Sequence, residues 1–183
     1  MKSLIITWEN FQDQELVYPY YRLREEALKP EDVIVMANVI GKFFGIMGTN
    51  MESHALVSEL NNDVLYDRYL NECDLLVIPG GVKALEKLRQ EKKVIEFIKD
   101  WGERDKTIAS TCHGAQLLIS SRLIKGKKVS GYYSLEDDIN NAGAVYVNEP
   151  VVIDKNIISS PHYNWMGEWM LAAIKSVKNE NNR

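Results

Sequence analysis

Residues 107–118, with the sequence TIASTCHGAQLL, have the pattern of a short strand that turns sharply into a helix. Residues 107–110 are β-prone, Cys112 follows after Thr111, and the next residues have a helical pattern. The middle residue of such a nucleophile elbow is exposed above the sheet edge, and small residues on either side let strand and helix approach. Ser110 and Gly114 occupy those positions. The pattern predicts that Cys112 is a reactive nucleophile rather than a small core residue.

The two cysteines of the chain lie in different sequence contexts. The Cys112 thiol is expected to face the electropositive start of the new helix, which favours the thiolate. Cys73 begins a buried apolar strand and is interpreted as structural. This pair suggests no disulfide framework, so a reducing, cytoplasmic location is expected.

The composition is that of a globular protein with one domain, covering residues 1–183. Lys and Arg number 22 and Asp and Glu number 26, which gives a net charge of −4. No basic run or aromatic-basic interleaving indicates nucleic acid binding. No apolar stretch approaches the ~20 residues that a membrane span needs. The first ten residues, MKSLIITWEN, are interpreted as a strand rather than a signal peptide.

Strands and helices alternate along the chain, which predicts a doubly wound α/β sandwich with a mainly parallel sheet. The predicted strands are residues 3–8, 32–37, 74–79 and 107–110, with short β segments at 144–147, 151–154 and 157–159. The predicted helices are residues 15–29, 84–90, 93–103, 116–121, 135–141 and 165–177. Pro19 is expected in the first turn of its helix. Residues 39–51 predict a hairpin, residues 61–71 a polar link, and residues 179–183 a frayed end.

In such a sheet the functional site lies beyond the carboxyl ends of the strands, where residues 8–12, 79–81 and 111–114 converge. Gly80 and Gly81 offer backbone N–H groups for an oxyanion, and the N–H of His113 is the natural second donor. The His113 side chain is expected to diverge from Cys112 and to serve a substrate or a partner acid. Glu15 is either a helix-start acid or a carboxyl with a raised pKa that stays protonated beside the sulfur.

Four pieces of the sequence together resemble the ThiJ/PfpI superfamily, and within it the PfpI-type intracellular proteases. They are ENFQDQELVYPYYRL at 9–23, DLLVIPGG at 74–81, ASTCHGAQLLI at 109–119, and YYSLEDDINNAGAVYVNEPVVIDKNIISS at 132–160. The resemblance implies a flavodoxin-like three-layer sandwich, shared with class I glutamine amidotransferases and the parkinsonism-associated deglycase. It spans nearly the whole chain.

The resemblance also implies roles for individual residues. Cys112 matches the nucleophile, His113 the histidine beside it, and Glu15 the acid that hydrogen-bonds the sulfur. The amides of Gly80, Gly81 and His113 match the oxyanion site. Tyr132 falls where PfpI-like members place a tyrosine over the pocket.

Three departures from the PfpI pattern concern the acids and the pocket. Gln12 stands where these proteins have an acid. Leu85 stands where they have the glutamate that reaches a neighbouring subunit's histidine, and Glu86, one residue later, is the possible third acid. The usual ending after the last strand is replaced by SPHYNW at 160–165, so that His162 could shape a different pocket.

The function expected from these features is that of a cysteine-dependent enzyme acting on small carbonyl compounds, their adducts or amides. The alternatives are a PfpI-type intracellular peptidase and a redox-sensing or chaperone-like stress protein. Glutamine amidotransfer is disfavoured because no acid follows His162 in an H-x-E arrangement.

No cofactor and no metal are expected, because Glu136, Asp137 and Asp138 are interpreted as helix-start acids. The expected partners are a small carbonyl, amide or peptide substrate and further copies of the chain. The resemblance, the hairpin at 39–51, Trp165 and Trp169 favour a homo-oligomer, either a dimer or a hexamer.

Overall fold

The central sheet has seven strands and is parallel except at one edge. In the computed structural model, which describes residues 1–180, its strands follow the order β10-β11-β7-β6-β1-β2-β5. They are β1 (Ser3–Ile6), β2 (Val33–Ala37), β5 (Ala55–Leu56), β6 (Leu75–Ile78), β7 (Ile108–Thr111), β10 (Val152–Asp154) and β11 (Ile157–Ser160). The order β2-β1-β6-β7-β11 within the sheet is that of flavodoxin-like folds. The predicted fold class is therefore confirmed.

Seven helices and two small ribbons surround the sheet in the described part of the chain. The helices are α1 (Asp13–Arg24), α2 (Asp63–Glu72), α3 (Val82–Leu88), α4 (Lys92–Glu103), α5 (Ala115–Ser120), α6 (Glu136–Asn141) and α7 (Met166–Glu180). The ribbons pair β3 (Gly41–Phe44) with β4 (Asn50–Ser53), and β8 (Lys128–Val129) with β9 (Val145–Tyr146). No helix within residues 1–180 is long and apolar enough to cross a membrane.

The crossovers place helices on both faces of the sheet. The chain moves outward from β1 to β2 through α1, and in the opposite direction from β6 to β7 through α3 and α4. Because both crossovers are right-handed by rule, their helices cover opposite faces. Helices α1 and α7 pack together, while α4 packs against α2 and α5. Trp101 of α4 and Trp169 of α7 are both fully buried in the core.

Helix α2 occupies the segment for which a polar link is predicted, so that prediction is wrong. Its buried side chains are Tyr66, Tyr69 and Leu70, which lie three and four residues apart on one helical face. Asn62 caps the helix by accepting a hydrogen bond from the N–H of Leu65 at 3.1 Å. The apolar face was hidden in the sequence because tyrosines supply most of it.

Helix α1 begins at Asp13, earlier than predicted, and Pro19 therefore lies in its interior rather than in its first turn. A proline at this position has no N–H for the carbonyl of Glu15, four residues before it. The helix nevertheless continues to Arg24, and Pro19 is buried. The early start places Glu15 in the first turn, at the carboxyl edge of the sheet.

The predicted hairpin forms as the ribbon β3–β4, and its tight turn is tied to the start of α1. The carboxylate of Asp13 accepts hydrogen bonds from the N–H groups of Met47 and Thr49, each at 2.9 Å. The N–H of Ile46 donates to the carbonyl of Phe11 at 2.9 Å. These contacts bring the turn to the edge of the sheet where the strand ends converge.

The predicted frayed end lies only partly within the described residues. Helix α7 continues through Asn179 to Glu180, and residues 181–183 lie outside the described part of the chain.

Candidate active site

Cys112 lies at the predicted elbow, directly after β7 and at the start of a single 3-10 turn, Cys112–Gly114. Its φ of 55° is in the left-handed region, which non-glycine residues rarely adopt and which occurs at strained functional positions. A Cβ on Gly114 would lie 2.5 Å from the carbonyl oxygen of Ile78 and 2.8 Å from Oγ of Ser110. Small residues are thus needed around the nucleophile because a larger side chain would clash with the neighbouring strand.

The side chains of Cys112 and His113 meet instead of diverging. Sγ lies 3.3 Å from Nδ1 of His113, so the expectation that the two side chains separate is wrong. The physical reason is the 3-10 turn, which turns both residues toward one cleft. Burial lowers the pKa of His113, and the charge of Glu86 offsets only part of that effect. A neutral imidazole is therefore in place to accept the proton of the thiol.

Glu15 is completely buried beneath the nucleophile. Its Oε2 accepts a hydrogen bond from the N–H of Gly80 at 2.8 Å. Burial raises the pKa of Glu15 to about 7, although hydrogen bonds from the Cys112 thiol and the Gly80 N–H favour the ionised form. This direction agrees with the expectation of a carboxyl that stays partly protonated near neutral pH.

The N–H of Gly80 is not available as an oxyanion donor, because Glu15 already accepts it. Gly80 instead provides space, since a Cβ there would lie 2.8 Å from the Cβ of Cys112. The N–H groups of Gly81 and His113 lower the pKa of the Cys112 thiol, which is the effect of backbone donors near the sulfur. They form the pair of donors that the site offers to a negative charge.

The environment of the Cys112 thiol differs from the sequence-based expectation of a lowered pKa. Burial raises the pKa of this thiol, and a negative charge on Glu15 raises it further. The N–H groups of His113 and Gly81 lower the pKa, but by less. Helix α5 has only six residues, so its dipole is a weak source of positive potential. Burial and the charge of Glu15 therefore favour the neutral thiol over the thiolate.

A cleft of about 590 Å³ opens above the thiol. It is lined by Gln12, Glu15, Ile46, Gly81, Val82, Lys83, Cys112, His113, Tyr132, His162 and Tyr163. The ring of Tyr132 stacks on His113, with centroids 4.6 Å apart and planes inclined by 27°, and its centroid lies 6.2 Å from that of His162. The N–H of Tyr132 donates to the carbonyl of Cys112 at 3.1 Å. The three predicted pocket residues, Gln12, Tyr132 and His162, therefore share the cleft with the nucleophile.

The predicted third acid is not in contact with the imidazole. Leu85 is fully buried in the core, whereas Glu86 is exposed on α3 and does not line the cleft. Its charge raises the pKa of His113 from a distance. Within residues 1–180 no hydrogen bond or ion pair joins Glu86 to His113.

Three residues that line the cleft were not predicted from the sequence. Val82 and Lys83 directly follow the two glycines at a strand end, and that position could have indicated them. Ile46 enters the cleft through the turn of the ribbon, whose placement depends on the distant Asp13 and Phe11. No local signal could have revealed it. In the part of the chain that the structure describes, no cluster of three or more His, Cys, Asp or Glu side chains could hold a metal ion.

Comparisons with known proteins agree with this architecture. Residues 1–176 match the sequence model of the DJ-1/PfpI family. The deglycase PfpI of Pyrococcus furiosus is 35% identical over 178 residues, covering 97% of this chain and 100% of that protein. The putative cysteine protease YraA of Bacillus subtilis is 31% identical over 160 residues, covering 87% of this chain and 88% of that protein.

The likeness extends to solved structures. A two-domain protein of Anabaena variabilis, with DJ-1/ThiJ/PfpI-like and ferritin-like domains, superposes with a TM-score of 0.86 at 27% identity. The match covers 97% of this chain and 50% of that one. The resemblance seen in the sequence is confirmed, and the chain belongs to the DJ-1/PfpI family.

Proposed function

We propose that this protein is a cysteine-dependent enzyme that acts on small carbonyl compounds, or on the adducts they form with thiols and amines. The observation that carries the proposal is the contact of 3.3 Å between the Cys112 sulfur and a buried imidazole at the floor of an open cleft. A relative named as a deglycase, similar over the full length of both chains, supports the same chemistry.

The first step is a proton transfer followed by addition. The thiol proton moves to Nδ1 of His113, and the sulfur attacks the carbonyl carbon. As the carbon–sulfur bond forms, the π electron pair of the carbonyl moves onto its oxygen. The N–H groups of Gly81 and His113, which lower the pKa of the thiol, are the backbone donors that we assign to that developing charge. Return of the proton from His113 to the oxygen completes a hemithioacetal with no net loss or gain of protons.

Glu15 acts in this scheme by staying neutral. A protonated carboxyl beside the sulfur removes the repulsion that an ionised one exerts on the thiolate. It also leaves one proton within reach of the sulfur. Since burial raises the pKa of Glu15 to about 7, this neutral form is populated near neutral pH.

The arrangement favours addition to an aldehyde over cleavage of an amide. Amide cleavage must expel an amine, so it needs an imidazolium that an adjacent acid orients and stabilises. In the described part of the chain, His113 has no such hydrogen-bonded acid. Addition to an aldehyde expels no amine. It needs only the transfer of the thiol proton to His113 and then to the carbonyl oxygen.

Turnover of methylglyoxal and of its thiol hemithioacetals tests the proposal. We expect Cys112→Ser to abolish turnover and Cys73→Ala, the matched control, to retain it. Burial raises the pKa of the Cys73 thiol to about 11, so this second cysteine is unreactive at neutral pH. Turnover that survives in Cys112→Ser, or that is absent from the unmodified protein, would refute the proposed function.

A peptidase is the second candidate, because the Cys112–His113 contact is also that of a cysteine–histidine dyad. Glu86, whose charge already reaches His113, is then the acid that assists it. A relative named as a putative cysteine protease points the same way. Brisk Cys112-dependent cleavage of casein that is lost in Glu86→Gln, with methylglyoxal untouched, would favour this candidate.

A further inference from the structure

Among the described residues that line the cleft above Cys112, one is an exposed cation. Lys83 lies in the first turn of α3, two residues after Gly81, whose N–H faces the sulfur. Its side chain is exposed and lines the same cleft as Cys112 and His113. Within residues 1–180 its ammonium group takes part in no ion pair or hydrogen bond. The charge of Lys83 is thus available to a molecule that enters the cleft.

The cleft has little negative charge to oppose this cation. Among the described residues that line it, only Glu15 is acidic, and this carboxyl is fully buried and already accepts the N–H of Gly80. Gln12 and Leu85 stand where the resemblance to PfpI-type proteins implies acids. Glu86, three residues beyond Lys83, does not line the cleft. Lys83 is therefore the exposed charged side chain among the described residues that line the cleft, in a chain whose net charge is −4, while the charge of Glu86 acts on His113 from outside that lining.

We infer that Lys83 makes the site selective for anionic substrates, namely adducts on small thiols or amines that carry a carboxylate. This inference rests on the proposed function for the chemistry but not for the selectivity. A lysine ammonium is a compact charge on a flexible stem, so it can follow a carboxylate while the reacting carbon lies at Cys112. Such a site acts on the carbonyl adducts of free amino acids and small anionic thiols in preference to the adducts of uncharged side chains within a polypeptide.

The first experiment measures how the electrostatic potential at Cys112 affects its alkylation, and it needs no enzymatic turnover. Iodoacetate and iodoacetamide alkylate the same thiolate but differ in charge, so the ratio of their rates cancels the pKa of the thiol. We expect Lys83→Met to lower the iodoacetate-to-iodoacetamide ratio about three- to fivefold. Lys83→Arg should keep the ratio. Lys87→Met removes the same charge from an exposed site on the same helix, outside the cleft, and should leave the ratio unchanged.

The second experiment uses the methylglyoxal hemithioacetals of N-acetylcysteine and N-acetylcysteine amide, which differ only in the carboxylate. We expect the unmodified protein to have the higher kcat/KM for the acid, and Lys83→Met to lose that preference. The preference should shrink as salt is added.

The outcomes separate the two proposals. An alkylation ratio that is the same in Lys83→Met as in the unmodified protein overturns the role of Lys83, whatever the turnover. If the iodoacetate-to-iodoacetamide ratio falls as expected but neither adduct shows Cys112-dependent turnover, the role of the Lys83 charge is supported and the proposed function is refuted. Equal kcat/KM for acid and amide in the unmodified protein also overturns the inference.

Discussion

Cys112 and Glu15 behave as one unit, because each group changes the protonation of the other. Burial raises the pKa of both side chains, and a charge on Glu15 disfavours a second charge on the sulfur. The buried pair therefore accommodates one negative charge more readily than two, and its titration belongs to the pair rather than to either residue. The proposed reaction uses the form of this pair that has the charge on sulfur and the proton on Glu15.

Substitution of Glu15 should separate these two effects. In Glu15→Gln the ionisable group is gone but a hydrogen-bond donor remains, so the apparent pKa of the Cys112 thiol should fall below that of the unmodified protein. Glu15→Leu loses the donor as well, so its thiol pKa should lie above that of Glu15→Gln. The rate of iodoacetamide labelling at Cys112 as a function of pH gives all three values. Identical values in the three proteins would mean that Glu15 does not act on the sulfur.

The raised pKa of Glu15 also makes the free energy of unfolding depend on pH. Below its ordinary pKa of 4.5 the group is protonated in the folded and unfolded states, and its full contribution to stability is present. As pH rises toward about 7, the unfolded chain releases the proton while the folded chain retains it, so stability falls. The 2.5-unit difference corresponds to roughly 3 kcal/mol.

Glu15→Gln should remove this fall, which urea unfolding at a series of pH values can measure. The free energy of unfolding of the variant, relative to the unmodified protein, should increase by roughly 3 kcal/mol between pH 4.5 and about 7. Glu31→Gln, at an exposed position, is the matched control and should show no such increase. A constant difference between Glu15→Gln and the unmodified protein would contradict a raised pKa at Glu15.

At the scale of elements, the elbow depends on the contact between the start of α5 and the end of β6. A Cβ on Gly114 would lie 2.5 Å from the backbone oxygen of Ile78, an atom that no side-chain rotation can move away. We expect Gly114→Ala to lower the free energy of unfolding by about 2–3 kcal/mol and to displace the nucleophile. Chemical denaturation and the rate of Cys112 alkylation measure the two effects.

The matched control for this substitution is Gly167→Ala in α7. A Cβ there would have only Oη of Tyr18, at 3.7 Å, as a neighbour. Alanine at such a helical site should be neutral or should stabilise the protein by about 0.5–1 kcal/mol. Equal unfolding midpoints for the two alanine variants would show that the elbow accommodates a Cβ at position 114 without strain.

The parts of the structure that could be predicted are those determined by residues close together in the sequence. Continuous apolar runs identified β1, β6 and β7, and the small residues around Cys112 identified the elbow. The position of Glu15 at the sheet edge followed from its place near the start of a helix. These features need only a few neighbouring residues to define them.

The features that sequence reasoning missed depend on distant contacts or on rotamers. The hydrogen bond from Gly80 to Glu15 joins residues 65 positions apart, and it removes the N–H that was expected to bind an oxyanion. The contact between Cys112 and His113 occurs in a 3-10 turn that begins with a left-handed φ at Cys112, and the residue types there do not predict that φ. Helix α2 was missed because its buried face consists largely of tyrosine.

At the scale of the whole molecule, the ribbon β3–β4 and its flanks expose apolar side chains that could join copies of the chain. They are Ile40 (57%), Phe44 (50%), Ile46 (50%) and Met47 (71%). Trp169, expected at a subunit contact, is instead fully buried, and its indole N–H donates to the carbonyl of Ile158. The prediction of a homo-oligomer therefore rests on the resemblance, on this ribbon and on the half-buried Trp165, and no longer on Trp169.

We predict that the protein is a homo-oligomer, a dimer or a hexamer, and that the ribbon contributes to its interface. Full burial of a large apolar side chain contributes about 1.5–3 kcal/mol, so several together can offset the cost of association. Light scattering at micromolar concentration should give at least twice the mass of one chain, and Phe44→Lys should lower that mass. Leu28→Lys, at a loop residue that is 92% exposed, is the matched control and should leave it unchanged.

This assembly would bear directly on the active site, because Ile46 lies both in the exposed ribbon surface and in the lining of the cleft. A partner docked on the ribbon would shield one wall of the cleft from water and strengthen the electrostatic interactions at Cys112. We therefore expect Phe44→Lys to lower activity per chain along with the mass, and the activity per chain of the unmodified protein to fall on dilution. A monomer mass for the unmodified protein contradicts the prediction, as does a Phe44→Lys variant with unchanged mass.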